Sequence, residues 1–189
     1  MVRIVLKCFI LALAMVIVTV SQALAAPDSC FSGICLDNKS NEATVSQRLG
    51  PATRWYSKID EKWYMTYTDR GRSLSIQFGF ESAKGQRSSS LDEIFVTSTF
   101  SEDAASPAAI EEGRTESGVS LGDSGARLRA LKGPPTRVVE TKTWKHRDSR
   151  HTQAYGALVY VYEVDGEALT NFFYINKDRV AAIWINDSE

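Results

Sequence analysis

Histidine, cysteine and an excess of charge of either sign are what this sequence has least of. Lys and Arg total 22 against 23 Asp and Glu in 189 residues, a net charge of −1. No global field therefore draws the chain to nucleic acid or to an anionic membrane surface. Two histidines leave little material for imidazole catalysis or a His-rich metal site. With three cysteines there is no paired-cysteine zinc pattern, and neither a phosphate-cradling glycine loop nor a dinucleotide fingerprint occurs. No cofactor and no metal is expected. What remains is 43% hydrophobic, 10% aromatic and 24% charged, the composition of an ordinary globular chain.

The first 25 residues differ from the rest. Arg3 and Lys7 form a basic start, Cys8 to Val20 is an apolar run, and Ala23-Leu24-Ala25 supplies the small residues a signal peptidase accepts. That run is short of the ~20 residues a membrane-spanning helix needs, so the segment reads as a secretory signal cleaved after Ala25. No membrane span is expected after cleavage, and the protein is expected in the periplasm or the extracellular medium. Cys30 is not beside the cleavage site, which argues against a lipid anchor. Export lets disulfides persist, and Cys30 and Cys35 are close enough in sequence to pair across a turn at Gly33. Their spacing is not the C-x-x-C of a redox motif.

Beyond the signal, two segments share one grammar. Gly33-Ile34-Cys35-Leu36 precedes a polar helix start at Ser40 or Asn41, then Val45, Leu49, Gly50 and Pro51. Gly118-Val119-Ser120-Leu121-Gly122 precedes Asp123-Ser124, with Asp123 as the helix-start cap, then Leu128, Leu131, Gly133 and Pro134. Each reads as a capped amphipathic helix stopped by Gly-Pro, with Leu128 and Leu131 taking the core role of Val45 and Leu49. Strand alternation follows each. Trp63, Met65 and Tyr67 share a face, continued by Leu74, Ile76, Phe78 and Phe80, with Ile94 and Val96 beyond. In the second half Tyr155, Ala157, Val159 and Val161 alternate, Asp165-Gly166 signals a two-residue hairpin, and Leu169, Phe173, Ile175, Ala181, Ile183 and Ile185 resume the pattern. The stretch from Ser101 to Glu116 reads as a linker. The fold expected is α+β: two tandem repeats, each a helical segment packed on a small antiparallel β-sheet, over residues 26–105 and 106–189.

The GVSLGDS…L..LKGPPT segment, followed by aromatic hairpins ending in FFYINKDRVAAIWI, resembles the module shared by the SmpA/OmlA outer-membrane assembly lipoproteins and the beta-lactamase inhibitor protein. That resemblance implies helices on one face of an antiparallel sheet, in tandem in the inhibitor protein, and a role in binding another exported or envelope protein. The chain departs from the lipoproteins in lacking their lipidation cysteine.

Two chemical readings compete with this. Gly118-Val119-Ser120-Leu121-Gly122 matches the G-x-S-x-G nucleophile elbow, with Asp148 and His151 following in hydrolase order, so a small secreted serine hydrolase using Ser120 is the alternative function. The elbow needs a strand-to-helix turn in a largely parallel sheet, and the residues after Ser120 read as antiparallel hairpins. His146 and His151 lie five apart among Lys142, Lys145, Arg147 and Arg150, a setting that disfavours a bound cation and reads as a solvated basic loop.

The outward strand positions carry the functional expectation. The first half offers Tyr64, Thr66, Thr68, Ser73, Ser75 and Gln77, an ordinary wet face. The second offers Leu158, Tyr160, Tyr162, Phe172, Tyr174 and Trp184, too much aromatic surface to leave idle in water. Either it packs against the other half or the linker, or Tyr160, Tyr162, Phe172, Tyr174 and Trp184 form a partner-binding face. The expected function is that of an exported, non-enzymatic protein-binding module, inhibitory or envelope-associated.

Overall fold

A computed structural model describes residues 26–36, 40–58, 61–71, 73–81, 90–98, 110, 113–141 and 157–187. The expected signal, most of the linker and the basic segment with both histidines lie outside these residues. No helix among them is long and apolar enough to cross a membrane.

The chain opens with a small hairpin, β1 (Cys30–Phe31) and β2 (Ile34–Cys35). Helix α1 (Glu42–Leu49) follows, then β3 (Thr53–Ser57), β4 (Lys62–Asp69), β5 (Leu74–Phe80) and β6 (Leu91–Thr97). Helix α2 (Gly125–Lys132) precedes β7 (Arg137–Thr141), β8 (Ala157–Glu163), β9 (Leu169–Asn176) and β10 (Arg179–Asp187).

Both helices are set by their caps. Asn41 Oδ1 accepts from Thr44 N–H at 3.0 Å, and Ser124 Oγ accepts from Arg127 N–H at 3.1 Å, satisfying amides that a helix start leaves orphaned. Asp123, the cap expected from sequence for α2, instead accepts from Ser120 N–H and pairs with Arg127. At the other ends Gly50 and Gly133 take positive φ and donate back to Ser46 and Arg129, both at 2.8 Å. Val45 and Leu49 bury one face of α1 at the i, i+4 spacing. In α2 the buried pair at that spacing is Leu128 and Lys132, whereas Leu131 is 40% exposed. The expected core role of Leu131 is therefore corrected.

The expectation of two helix-on-sheet repeats is overturned at the level of the sheet. Strands β3 to β10 form one eight-stranded antiparallel sheet, ordered β3-β4-β5-β6-β10-β9-β8-β7, and the two eight-residue helices are a minor part of a sheet-dominated fold. The cause lies in β6 and β10. Ile94 pairs with Ile185 and Val96 with Ile183, so the strands that would edge two small sheets pair with each other. Joining them removes two apolar strand edges from solvent. One hydrophobic cluster follows from that join, running from Val45, Leu49, Met65, Tyr67 and Phe78 through Ile94 and Ile183 to Leu128, Tyr162 and Phe173.

The helices are bolted to the sheet by two tyrosines. Tyr67 Oη donates to Gly50 O at 2.8 Å and Tyr162 Oη to Gly133 O at 3.2 Å, each reaching the carbonyl of a helix-capping glycine. Each ring also packs edge-on against a phenylalanine, Phe78 and Phe173 respectively. Burial raises both phenols to a pKa of about 12.

Candidate binding face

Residues paired across an antiparallel ladder share a face, so the register decides where each aromatic points. In β8 and β9 the pairs are Val159 with Tyr174, Tyr160 with Phe173, Val161 with Phe172 and Tyr162 with Asn171. Phe173 belongs to the helix-covered core, so Tyr160 and Tyr162 point to the helix side with it. The sequence expectation of a single face holding Tyr160, Tyr162, Phe172, Tyr174 and Trp184 is thereby split. Odd positions of β8 stand opposite even positions of β9, so Val159 and Val161 share a face with Phe172 and Tyr174. The hairpin is also longer than Asp165-Gly166, since β8 ends at Glu163 and β9 begins at Leu169.

Tyr160 and Tyr162 have structural partners. Tyr160 Oη accepts from Arg129 Nη1 at 2.6 Å, with that guanidinium 5.6 Å from the ring centre. Tyr162 is fully buried, with Lys132 Nζ 5.2 Å from its ring centre. Lys132 is itself buried. It donates to Asp28 Oδ2 at 2.8 Å and to Ala26 O at 2.9 Å. Ser117 donates to the same carboxylate through its N–H (2.7 Å) and hydroxyl (2.9 Å), while Asn171 exchanges hydrogen bonds with the Asp28 backbone. Burial lowers the Lys132 pKa, and the Asp28 carboxylate opposes the shift.

The other face of the sheet carries no helix among the described residues. On the inner strands β9 and β10 Phe172 stacks on Trp184, ring centres 5.0 Å apart, and Trp184 stands opposite Phe95 of β6. Val159, Val161, Tyr174 and Ala182 complete this second cluster, in which Phe172 and Trp184 stay partly exposed. At the β3 edge of the sheet Trp55 stacks on Tyr64 of β4 at 4.5 Å, and its indole N–H donates to Thr66 Oγ1 at 3.1 Å. Between the stacks runs a polar strip: Thr66, Thr68, Ser75, Gln77 and Thr97. These residues are buried, which corrects the wet face expected there.

Trp55 was missed in the sequence because β3 is short and directly follows the Gly50-Pro51 stop. A signal existed, since β7 occupies the same place after Gly133-Pro134. Cys30 and Cys35 stand opposite each other in the β1–β2 hairpin and form a disulfide. Ser120 is half-buried, bridges to Arg114 and lies before α2 rather than on a strand-to-helix elbow. Asp148 and His151, its expected partners, lie outside the described residues, as does His146. No group of three metal-ligating side chains occurs among the described residues.

No family model matches the chain, and no curated protein matches it. Among solved structures it is similar to YjgB, a DUF4309 family protein of Bacillus subtilis, with 16% identity over 82% of this chain and 83% of that one, at a TM-score of 0.38. A likeness that distant assigns this chain neither a fold nor a function.

Proposed function

We propose that the protein is an exported, non-enzymatic binding protein that holds another protein on its helix-free sheet face. The observation that carries this reading is the pair of aromatic stacks on one sheet face, Trp55 on Tyr64 at the β3–β4 edge and Phe172 on Trp184 on the inner strands β9 and β10. Partly exposed tryptophans on a rigid sheet combine large contact area with little ordering cost, the usual character of interface anchors. The class of partner, an exported or envelope protein, comes from the signal-like N-terminus and from the resemblance to the SmpA/OmlA and inhibitor-protein module. Tyr160 and Tyr162 are not part of the proposed face, because both point into the helix-covered core; Tyr174 lies on the face as a buried member of the cluster against which Phe172 and Trp184 pack.

The test is capture of a partner from envelope extract on the immobilised chain without residues 1–25. A genuine partner binds stoichiometrically without turnover, is lost with Trp55→Ala or Trp184→Ala, and is retained by Glu140→Gln on the exposed strand β7. Capture insensitive to both tryptophans would place recognition elsewhere.

A further inference from the structure

Successive residues of a strand ordinarily point to opposite faces, which would separate Asp92 from Glu93. Strand β6 avoids this with a bulge. Gly79 pairs with Glu93 and Phe80 with Leu91, so Asp92 is the extra residue. Both acids therefore reach Lys62 of β4, whose Nζ lies 2.6 Å from Asp92 Oδ2 and 3.6 Å from Glu93 Oε2. The seat is shaped for this. A Cβ on Gly79 would collide with the Glu93 side chain, so the glycine makes the room that Glu93 occupies.

One ammonium thus faces two carboxylates with little access to water, as side-chain exposures of 21%, 16% and 5% for Lys62, Asp92 and Glu93 show. Asp92 Oδ1 and Glu93 Oε2 are both shielded from solvent and accept no hydrogen bond. Buried acceptors without donors are costly, and an excess negative charge adds to that cost. A single added proton relieves both, because it neutralises the excess charge and turns an acceptor-only carboxylate into a donor.

We propose that the Lys62–Asp92–Glu93 cluster is a proton-binding site that makes the sheet more stable as the medium acidifies, with Asp92 taking one proton from water. Burial is the largest cause raising the Asp92 pKa to about 6; the hydrogen bond and charge of Lys62 oppose it and Glu93 adds to it. Among the described residues the charges acting on Asp92 are these two, while β5 and β10 present Gly79 and Asn186 beside Glu93. The direction follows from linkage. Between the ordinary carboxyl value and about 6 the folded chain binds more protons than the unfolded one, so stability rises as pH falls through that window. The proposal concerns the sheet alone and does not depend on a protein partner.

Thermal unfolding of the exported chain from about pH 8 to about pH 5 tests it. The melting temperature should begin to rise as pH falls to about 6 and keep rising to the acid end of the scan. Asp92→Asn should abolish that rise, and Glu140→Gln should keep it. A carbon NMR titration of the Asp92 carboxyl in the unsubstituted protein gives a reading independent of whether any variant folds, with a step near pH 6 expected. A carboxyl step in the ordinary aspartate range, a flat or falling unsubstituted profile, or an undiminished rise in Asp92→Asn would each overturn the proposal.

Discussion

The residue that ties most of this molecule together is Lys132. Its ammonium links α2 to Ala26 and Asp28, and Asp28 in turn fixes Ser117 and Asn171. Burying such a pair is not itself strongly stabilising, but removing one partner strands the other charge. Lys132→Met should therefore lower unfolding stability by about 3–5 kcal/mol in denaturant titration, whereas Lys132→Met with Asp28→Leu should recover much of the loss. A single variant costing no more than a surface change would mean that the pair is solvated. At the same scale, the Cys30–Cys35 hairpin predicts that thiol titration of the unreduced chain without residues 1–25 finds neither cysteine free. Two reactive thiols would contradict the hairpin. The importance of Lys132 was not legible in the sequence, since a lysine in the last turn of a helix reads as a solvated dipole partner. Its counter-charge lies 104 residues away, beyond any local pattern.

Among the elements, helix ends were legible and faces were not. Gly-Pro stops and polar starts are local chemistry, and α1 and α2 end at Gly50 and Gly133 as that chemistry requires. Which residues of α2 turn inward depends on the helix's rotation against the sheet, a tertiary property. Leu128→Ala should cost about 2–5 kcal/mol as a core truncation, whereas Leu131→Ala should stay within about 0.5 kcal/mol. Comparable losses at the two leucines would mean that the helix sits rotated from the position described. Strand β8 shows the same limit more sharply. Alternation places Tyr160 and Tyr162 together, but only pairing with Phe173 and Asn171 decides which side they occupy. The longer hairpin from Val164 to Ala168 was hidden behind a strong Asp-Gly turn signal.

At the scale of the whole molecule, short strands and a long sheet look alike in sequence. Alternation in β4, β5, β9 and β10 was readable, yet the pairing of β6 with β10 joins residues from both halves and left no local mark. That pairing creates one broad face on which buried polar residues lie between an aromatic stack at the β3 edge and a second on β9 and β10. Thr66, Thr68, Ser75 and Gln77 read as solvent-facing from their polarity, whereas all four are buried. If the stacks on this face grip a partner, calorimetric affinity of the captured partner for Trp55→Ala and Trp184→Ala, measured beside each variant's melting temperature, will show it. Each substitution should cost about 2 kcal/mol or more in binding, the size expected of central anchors, while the variant stays folded at the assay temperature. Unaltered affinity in both folded variants, or unfolding with no binding defect in the folded fraction, would contradict it.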